Sequence, residues 1–92
     1  MANTSVSICK CKAAHLYDTT GTNGVIYRML RLEAYGSKCY VVSAESNDCQ
    51  VIEALGPNLY HATEFYEKII RGDVSPENLT ELVTDFKNSL NY

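Results

Sequence analysis

The pair Gly56-Pro57 restricts the fold of this chain more than any other feature. Pro has no N–H to give to a ladder and sits badly in a central strand, so a sheet must end there. Upstream, apolar residues recur at every second position; downstream they recur at every third or fourth. The chain therefore builds a sheet first and then lays helices against it.

Within the sheet region, Val25 to Ala34 has the strongest strand composition, being rich in β-branched, aromatic and long aliphatic residues. Ile26, Leu30, Leu32 and Ala34 share one face; Tyr27, Met29, Arg31 and Glu33 share the other. Tyr35-Gly36-Ser37-Lys38 reads as a tight turn, with Gly36 taking the positive-φ position of a type II′ hairpin. Lys38 to Glu45 is the return strand, pairing Leu32 with Val41, Arg28 with Glu45, Glu33 with Tyr40 and Arg31 with Val42. Ser46-Asn47-Asp48 is a second turn, open to a two- or three-residue loop, and leads into Cys49–Leu55. An earlier strand is expected from Ser5 to about His15, with a parity slip at Cys9 and Cys11 that suggests a bulge. Tyr17 to Gly24 is expected to be a loop by composition.

Two helices follow. Leu59, Ala62, Phe65, Tyr66, Ile69 and Ile70 form one broad apolar face, opposite Glu64, Glu67, Lys68 and Arg71. Asn58 is placed as the N-cap and Gly72 as the positive-φ terminator. The second helix has the clearer start. Ser75 caps, Pro76 takes the first helical position, and Leu79, Leu82, Val83, Phe86 and Leu90 form a stripe. The expected seat of that stripe is the Ile26/Leu30/Leu32 sheet face together with the preceding helix. The fold class is α+β: an antiparallel meander of three to four strands followed by two α-helices on one face, in the order ββββαα. All 92 residues form one small domain, with residues 1–4 as a tail.

The strand entering Tyr35-Gly36, the meander through Val41 and Val51-Ile52, and the closing Val74-Ser75-Pro76-x-x-Leu79-x-x-Leu82-Val83-x-Asp85-Phe86 carry a resemblance. Over about residues 25–90 the chain resembles a family of short uncharacterised clostridial-type Firmicutes proteins. Their strand begins Tyr-Gly-Ile and their last helix reads Val-x-Pro-x-x-Leu-x-Asp-Val-Ile-x-Asp-Phe. Ser37 and Glu81 depart from that pattern. The resemblance implies a bacterial intracellular setting and no particular chemistry.

Charge narrows the partners. The net charge is −3 and is unevenly spread: residues 1–46 carry +2 and residues 47–92 carry −5. An acidic total counts against general binding to a phosphate backbone. The first residues lack a basic region followed by an apolar run, so a cytosolic chain with reduced thiols is expected. No apolar stretch approaches the roughly 20 residues of a membrane helix, so no membrane partner is expected.

No catalytic constellation is visible. The four cysteines, Cys9, Cys11, Cys39 and Cys49, lack the Cys-x2-Cys spacing that aims two thiolates at one ion, and read as inert thiols rather than a zinc site. His61 and Glu64 lie one helical turn apart, which is also common on solvated helices. The Gly21–Gly24 loop precedes a strand, whereas a phosphate cradle opens a helix. No cofactor, metal site or catalytic residue is assigned.

Surfaces remain. With helices on the other side of the sheet, Tyr27, Met29, Arg31, Tyr40 and Val42 would form an exposed aromatic face. Such a face suits a protein partner or self-association, with single-stranded nucleic acid as an alternative and plain cross-strand pairing as the simplest reading. Glu77, Glu81 and Asp85 line the polar side of the last helix. Like charges at that spacing do not stabilise a helix, so they serve solubility or dock a basic partner. The expected function is a non-enzymatic interaction or regulatory module, homodimerisation being one form of it. A thiol or metal site is the remaining alternative.

Overall fold

The computed structural model describes residues 12–90. It has four strands, β1 (Lys12–Thr20), β2 (Ile26–Ala34), β3 (Ser37–Ser46) and β4 (Cys49–Gly56), followed by α1 (Leu59–Arg71) and α2 (Pro76–Leu90). The strands form one antiparallel sheet in the order β1-β2-β3-β4, so the ββββαα meander expected of the sequence is the fold. The segment Ser5 to Cys11, expected to begin the first strand, lies outside the described residues.

β1 is displaced toward the C-terminus from its expected position. Tyr17 to Thr20 were expected in a loop and are instead strand residues paired with Met29 to Ile26. Tertiary contacts override composition here: the Tyr17 ring stacks on Tyr66 at 5.5 Å, and the Thr19 hydroxyl donates to the Tyr66 hydroxyl oxygen, whose own proton goes to the Tyr27 carbonyl. The pairing slips between His15 and Tyr17, which leaves Leu16 as the extra residue of a bulge packed against the core.

The β2–β3 turn differs from expectation by one residue. Its centre is Tyr35-Gly36, with φ of 54° and 81°. Positive φ at both central positions is the type I′ arrangement, whose twist matches that of the flanking strands. The register therefore pairs Ala34 with Ser37, Leu32 with Cys39, Leu30 with Val41 and Arg28 with Ser43, two residues from the expected set. A shift of two leaves every side chain on its expected face. Arg28 still reaches Glu45, now as a diagonal neighbour, at 2.8 Å. The β3–β4 turn is a two-residue loop, Ser46 pairing with Cys49.

The helices cover the face opposite to the one expected. Tyr27, Met29, Tyr40, Val42 and Ala44 are buried with Ala62, Phe65, Tyr66 and Ile69 of α1 and Leu79 and Val83 of α2. Leu82 and Phe86 pack against this core from the side, Phe86 lying 4.9 Å from Phe65 between ring centroids. Leu59 and Leu90 fall at the outer ends of the helices and remain exposed. The reason is where charge sits along the strands. Both faces of β2 carry it, but Arg28 stands in the middle of the Ile26/Leu30/Leu32 face, whereas Arg31 and Glu33 stand at the far end of the Tyr27/Met29 face. A 13-residue helix is about 20 Å long and a 9-residue strand about 30 Å, so the helices can cover one end of that face and leave Glu33, opposite Lys38 by the β2–β3 turn, at its margin.

Two tyrosine hydroxyls make this choice specific, since a buried O–H requires an acceptor. Tyr27 donates to the Val74 carbonyl at 2.6 Å, in the turn between the helices. Tyr66 donates to the Tyr27 carbonyl at 2.9 Å. α2 is also tied to β4 through Thr80 Oγ1, which donates to Glu53 at 2.6 Å.

The turn between the helices has its own logic. Asn58 caps α1 as expected, accepting from the His61 N–H at 2.9 Å. At the other end Gly72 has φ −89°, and the left-handed position falls instead on Asp73, with φ 49°. The Val74 N–H reaches Ile69 O and the Asp73 N–H reaches Ile70 O, which is the Schellman arrangement with Asp in the place usually held by Gly. The β1–β2 loop offsets the cost. Thr22 Oγ1 donates to the Asp73 carboxylate at 2.7 Å and Asn23 Nδ2 to the Asp73 carbonyl at 2.9 Å. Ser75 was expected to cap α2 through its side chain, but its hydroxyl accepts from the Asn78 side-chain amide, while its carbonyl accepts the Asn78 N–H.

Candidate functional site

The surface expected to be exposed is largely interior. Tyr27, Met29 and Val42 have no accessible surface and Tyr40 is 5% exposed, all beneath the helices. Aromatic rings buried there cannot stack bases, so the platform envisaged for single-stranded nucleic acid is absent from these residues. Arg31 shares that face, opposite Tyr40, and is half-buried, with Nε 3.5 Å from Glu33 Oε2. Glu77, Glu81 and Asp85 are exposed along α2, as the helical wheel expected.

The other face of the sheet is the open one. No element among the described residues lies over it. The pairing sets its side chains in rows that run across the strands. From the β3–β4 turn end these rows are Thr20, Ile26, Glu45 and Gln50; then Asp18, Arg28, Ser43 and Ile52; then His15, Leu30, Val41 and Ala54; then Ala13, Leu32 and Cys39. Ile26, Leu30 and Leu32 are only partly buried, and Ile52 is 60% exposed. Val41 and Ser43, in the middle of these rows, are buried. An aliphatic surface running across β2, β3 and β4 with no covering layer among the described residues is what an interaction surface requires.

One polar band crosses it. Arg28 lies 2.8 Å from Glu45 and 3.6 Å from Asp18, and His15 lies 3.7 Å from Asp18. The hydrogen bond to Glu45 raises the Arg28 pKa above its ordinary value, and Asp18 adds to the effect. Arg28 is therefore a fixed cation held flat between two carboxylates, and the band carries no free positive charge for an anionic ligand. His15 and Asp18 resemble part of a catalytic dyad, but a nucleophile aligned with them is needed for that chemistry, and Asp18 faces Arg28 instead.

Between α1 and α2 a shallow groove of about 390 Å³ is lined by Phe65, Ile69, Val74, Leu82 and Phe86, with Lys68 and Asp85 at its rim. Cys39 and Cys49 are half-buried on β3 and β4, Cys39 opposite Leu32 and Cys49 opposite Ser46 at the other end of the sheet. Cys9 and Cys11 lie outside the described residues. Among the described residues no three His, Cys, Asp or Glu side chains converge as metal ligands, and no helix is long and apolar enough to cross a membrane.

Sequence reasoning saw the aliphatic residues of the open face and assigned them to the core. The signal that separates the two faces is the position of Arg28 midway along β2, opposite Ser43 and beside Glu45. No family model matches the chain, and no curated protein or solved structure is significantly similar to it.

Proposed function

We propose that this chain is a small, non-enzymatic protein-interaction module, of the bacterial cytosolic kind its family resemblance implies, whose working surface is the open aliphatic face of the sheet. The observation that carries the reading is the row of Leu30, Val41 and Ala54 with Leu32 and the 60% exposed Ile52, none of which meets a covering element among the described residues. Interface cores are depleted in charge and rimmed by polar groups. This face has a charge-free part in the Leu30 and Leu32 rows, and its ionised residues are confined to the band around Arg28 that crosses it. The acidic row Glu77, Glu81 and Asp85 projects from α2 and serves solubility.

The test uses the immobilised full chain as bait in a nuclease-treated native lysate that also contains the untagged chain. The wild type, Ile52→Asp on the open face and Glu81→Lys on α2 are compared. A protein, whether another copy or a different chain, should be retained by the wild type and by Glu81→Lys and lost with Ile52→Asp. Equal retention by all three baits, or none by the wild type, would remove the reading.

A further inference from the structure

Resting on that reading of the open face, we infer that its occupant is a second copy of this chain, packed sheet to sheet about a two-fold axis that runs parallel to the strands between β2 and β3. The first support is that the face complements itself about this axis. Rotation about it carries each row onto itself while exchanging β2 with β3 and β1 with β4. Leu30 then lies over the second copy's Val41, and Leu32 over its Cys39, so apolar rows meet apolar rows. Arg28 lies over the second copy's Ser43, beside that copy's Glu45, so each guanidinium, already paired with Asp18 and Glu45 of its own chain, gains a third carboxylate from across the interface.

The same rotation lays Glu45 over the second copy's Ile26 and Asp18 over its Ile52, the Asp18 side chain being 53% exposed on its edge strand. An interface of two identical patches must be self-complementary, and the Leu30/Val41 and Leu32/Cys39 pairs meet that requirement. The rim also fits. Asp18, His15 and Gln50 stand on the edge strands, where the rotation between packed sheets opens the gap to water.

Area supports the same occupant. Four strands spaced about 4.8 Å apart and about eight residues long present a footprint of roughly 19 by 27 Å, about 500 Å² per copy. A pair then buries about 1,000 Å² or more, the lower bound of a specific interface, as suits a reversible dimer rather than an obligate one. The acidic row of α2 lies on the far side of each copy, so Glu77, Glu81 and Asp85 stay out of the contact, whose ionised groups are Asp18, Arg28 and Glu45. Each copy would contribute a helix layer outside and a sheet layer inside, giving four layers.

Sedimentation equilibrium on the full chain tests this over about 1–500 μM. The wild type should move from a mass of 10.3 kDa toward twice that value across that range. Leu30→Lys and Ile52→Asp should weaken association at least about tenfold, since the first places a charge twice in the apolar rows and the second sets a carboxylate over the second copy's Asp18. Glu81→Lys should leave it unchanged. Ile52 is already 60% exposed, so its replacement leaves the monomer folded, as circular dichroism would verify. A wild type that stays monomeric at the highest concentration overturns the dimer, and so does association that persists in both face variants. If a monomeric wild type retains a different protein that Ile52→Asp loses, the second copy is wrong and the interaction surface stands. If it retains none, both fall. Contacts between Val6 or Ile8 and Leu30 in a nuclear Overhauser spectrum of a monomer would assign the face to the chain's own first residues and also overturn the dimer.

Discussion

Replacing Met29 and Leu30 one at a time by Ala separates the two faces of β2, because these adjacent side chains point to opposite sides of the sheet. Met29 has no accessible surface and is enclosed by the core residues of both helices. Its truncation removes fully buried atoms and leaves a cavity, for a loss of about 3 kcal/mol within the usual range of about 2–5. Leu30 is only partly buried. Three carbons at about 0.8 kcal/mol each, half of that already exposed, give about 1 kcal/mol, with no cavity to add because water fills the space. For a domain of this size each kcal/mol moves the melting midpoint by about 4–8 °C. Met29→Ala should therefore melt at least about 10 °C below the wild type and Leu30→Ala about 5 °C below it. Both should be measured near 1 μM, below any self-association, by thermal and urea unfolding. Equal losses, or a larger loss at Leu30, would place the helices on the wrong side of the sheet and refute the reasoning.

Three further outcomes follow from local geometry. A Cβ added at Gly21 would lie 2.8 Å from Asn23 Oδ1, 2.9 Å from Tyr27 Cε2 and 3.2 Å from Asp73 Oδ1, so Gly21→Ala should cost about 1–3 kcal/mol in urea unfolding. Wild-type stability there would mean that the loop does not clasp the turn between the helices. Tyr35 is 81% exposed with φ 54°, so Tyr35→Asn, a residue that tolerates this conformation, should raise stability by about 1 kcal/mol; a loss would show that the ring has a structural contact. Burial is the main cause raising the Tyr27 and Tyr66 pKa values above the ordinary 10.0. The stability tied to these neutral phenols is complete below about pH 10 and is lost as pH rises through the raised values, so the urea midpoint should fall only in that alkaline range. Tyr27→Phe should flatten part of the fall, and an unchanged slope would show that Tyr27 does not titrate from a buried site.

Much of the architecture is legible in the sequence because each signal has a local cause. The alternation in residues 25–55, Gly56-Pro57 as a stop, Asn58 as a cap and Pro76 at the first turn depend on neighbouring residues only, and the elements form where these signals stand. Which sheet face the helices choose does not depend on neighbours. By count of apolar residues the Ile26/Leu30/Leu32/Ala34 side of β2 looks like the core, and Tyr27, Met29, Arg31 and Glu33 look like a surface. The outcome turns on helix length against strand length and on acceptors for the Tyr27 and Tyr66 hydroxyls at Val74 and Tyr27, 47 and 39 residues away in sequence. Tyr17 and Thr19 were hidden for the same reason, since their partner is Tyr66. The hairpin register slipped by two because Tyr35 is an unusual residue at positive φ, whereas Gly36 at the first central position was the chemically easier choice. The faces survived that slip, so the candidate surface was misassigned by choice of side and not by register.

Solvent paramagnetic relaxation of the methyl groups, followed through a dilution series of the wild type, reads both sheet faces at once. Leu30, Val41 and Ile52 methyls should be strongly enhanced in dilute samples and progressively shielded as concentration rises, while Met29 and Val42 methyls stay shielded throughout. Enhancement of Met29 and Val42, or Leu30 and Ile52 methyls shielded equally at every dilution, would contradict an open aliphatic face that receives a second copy.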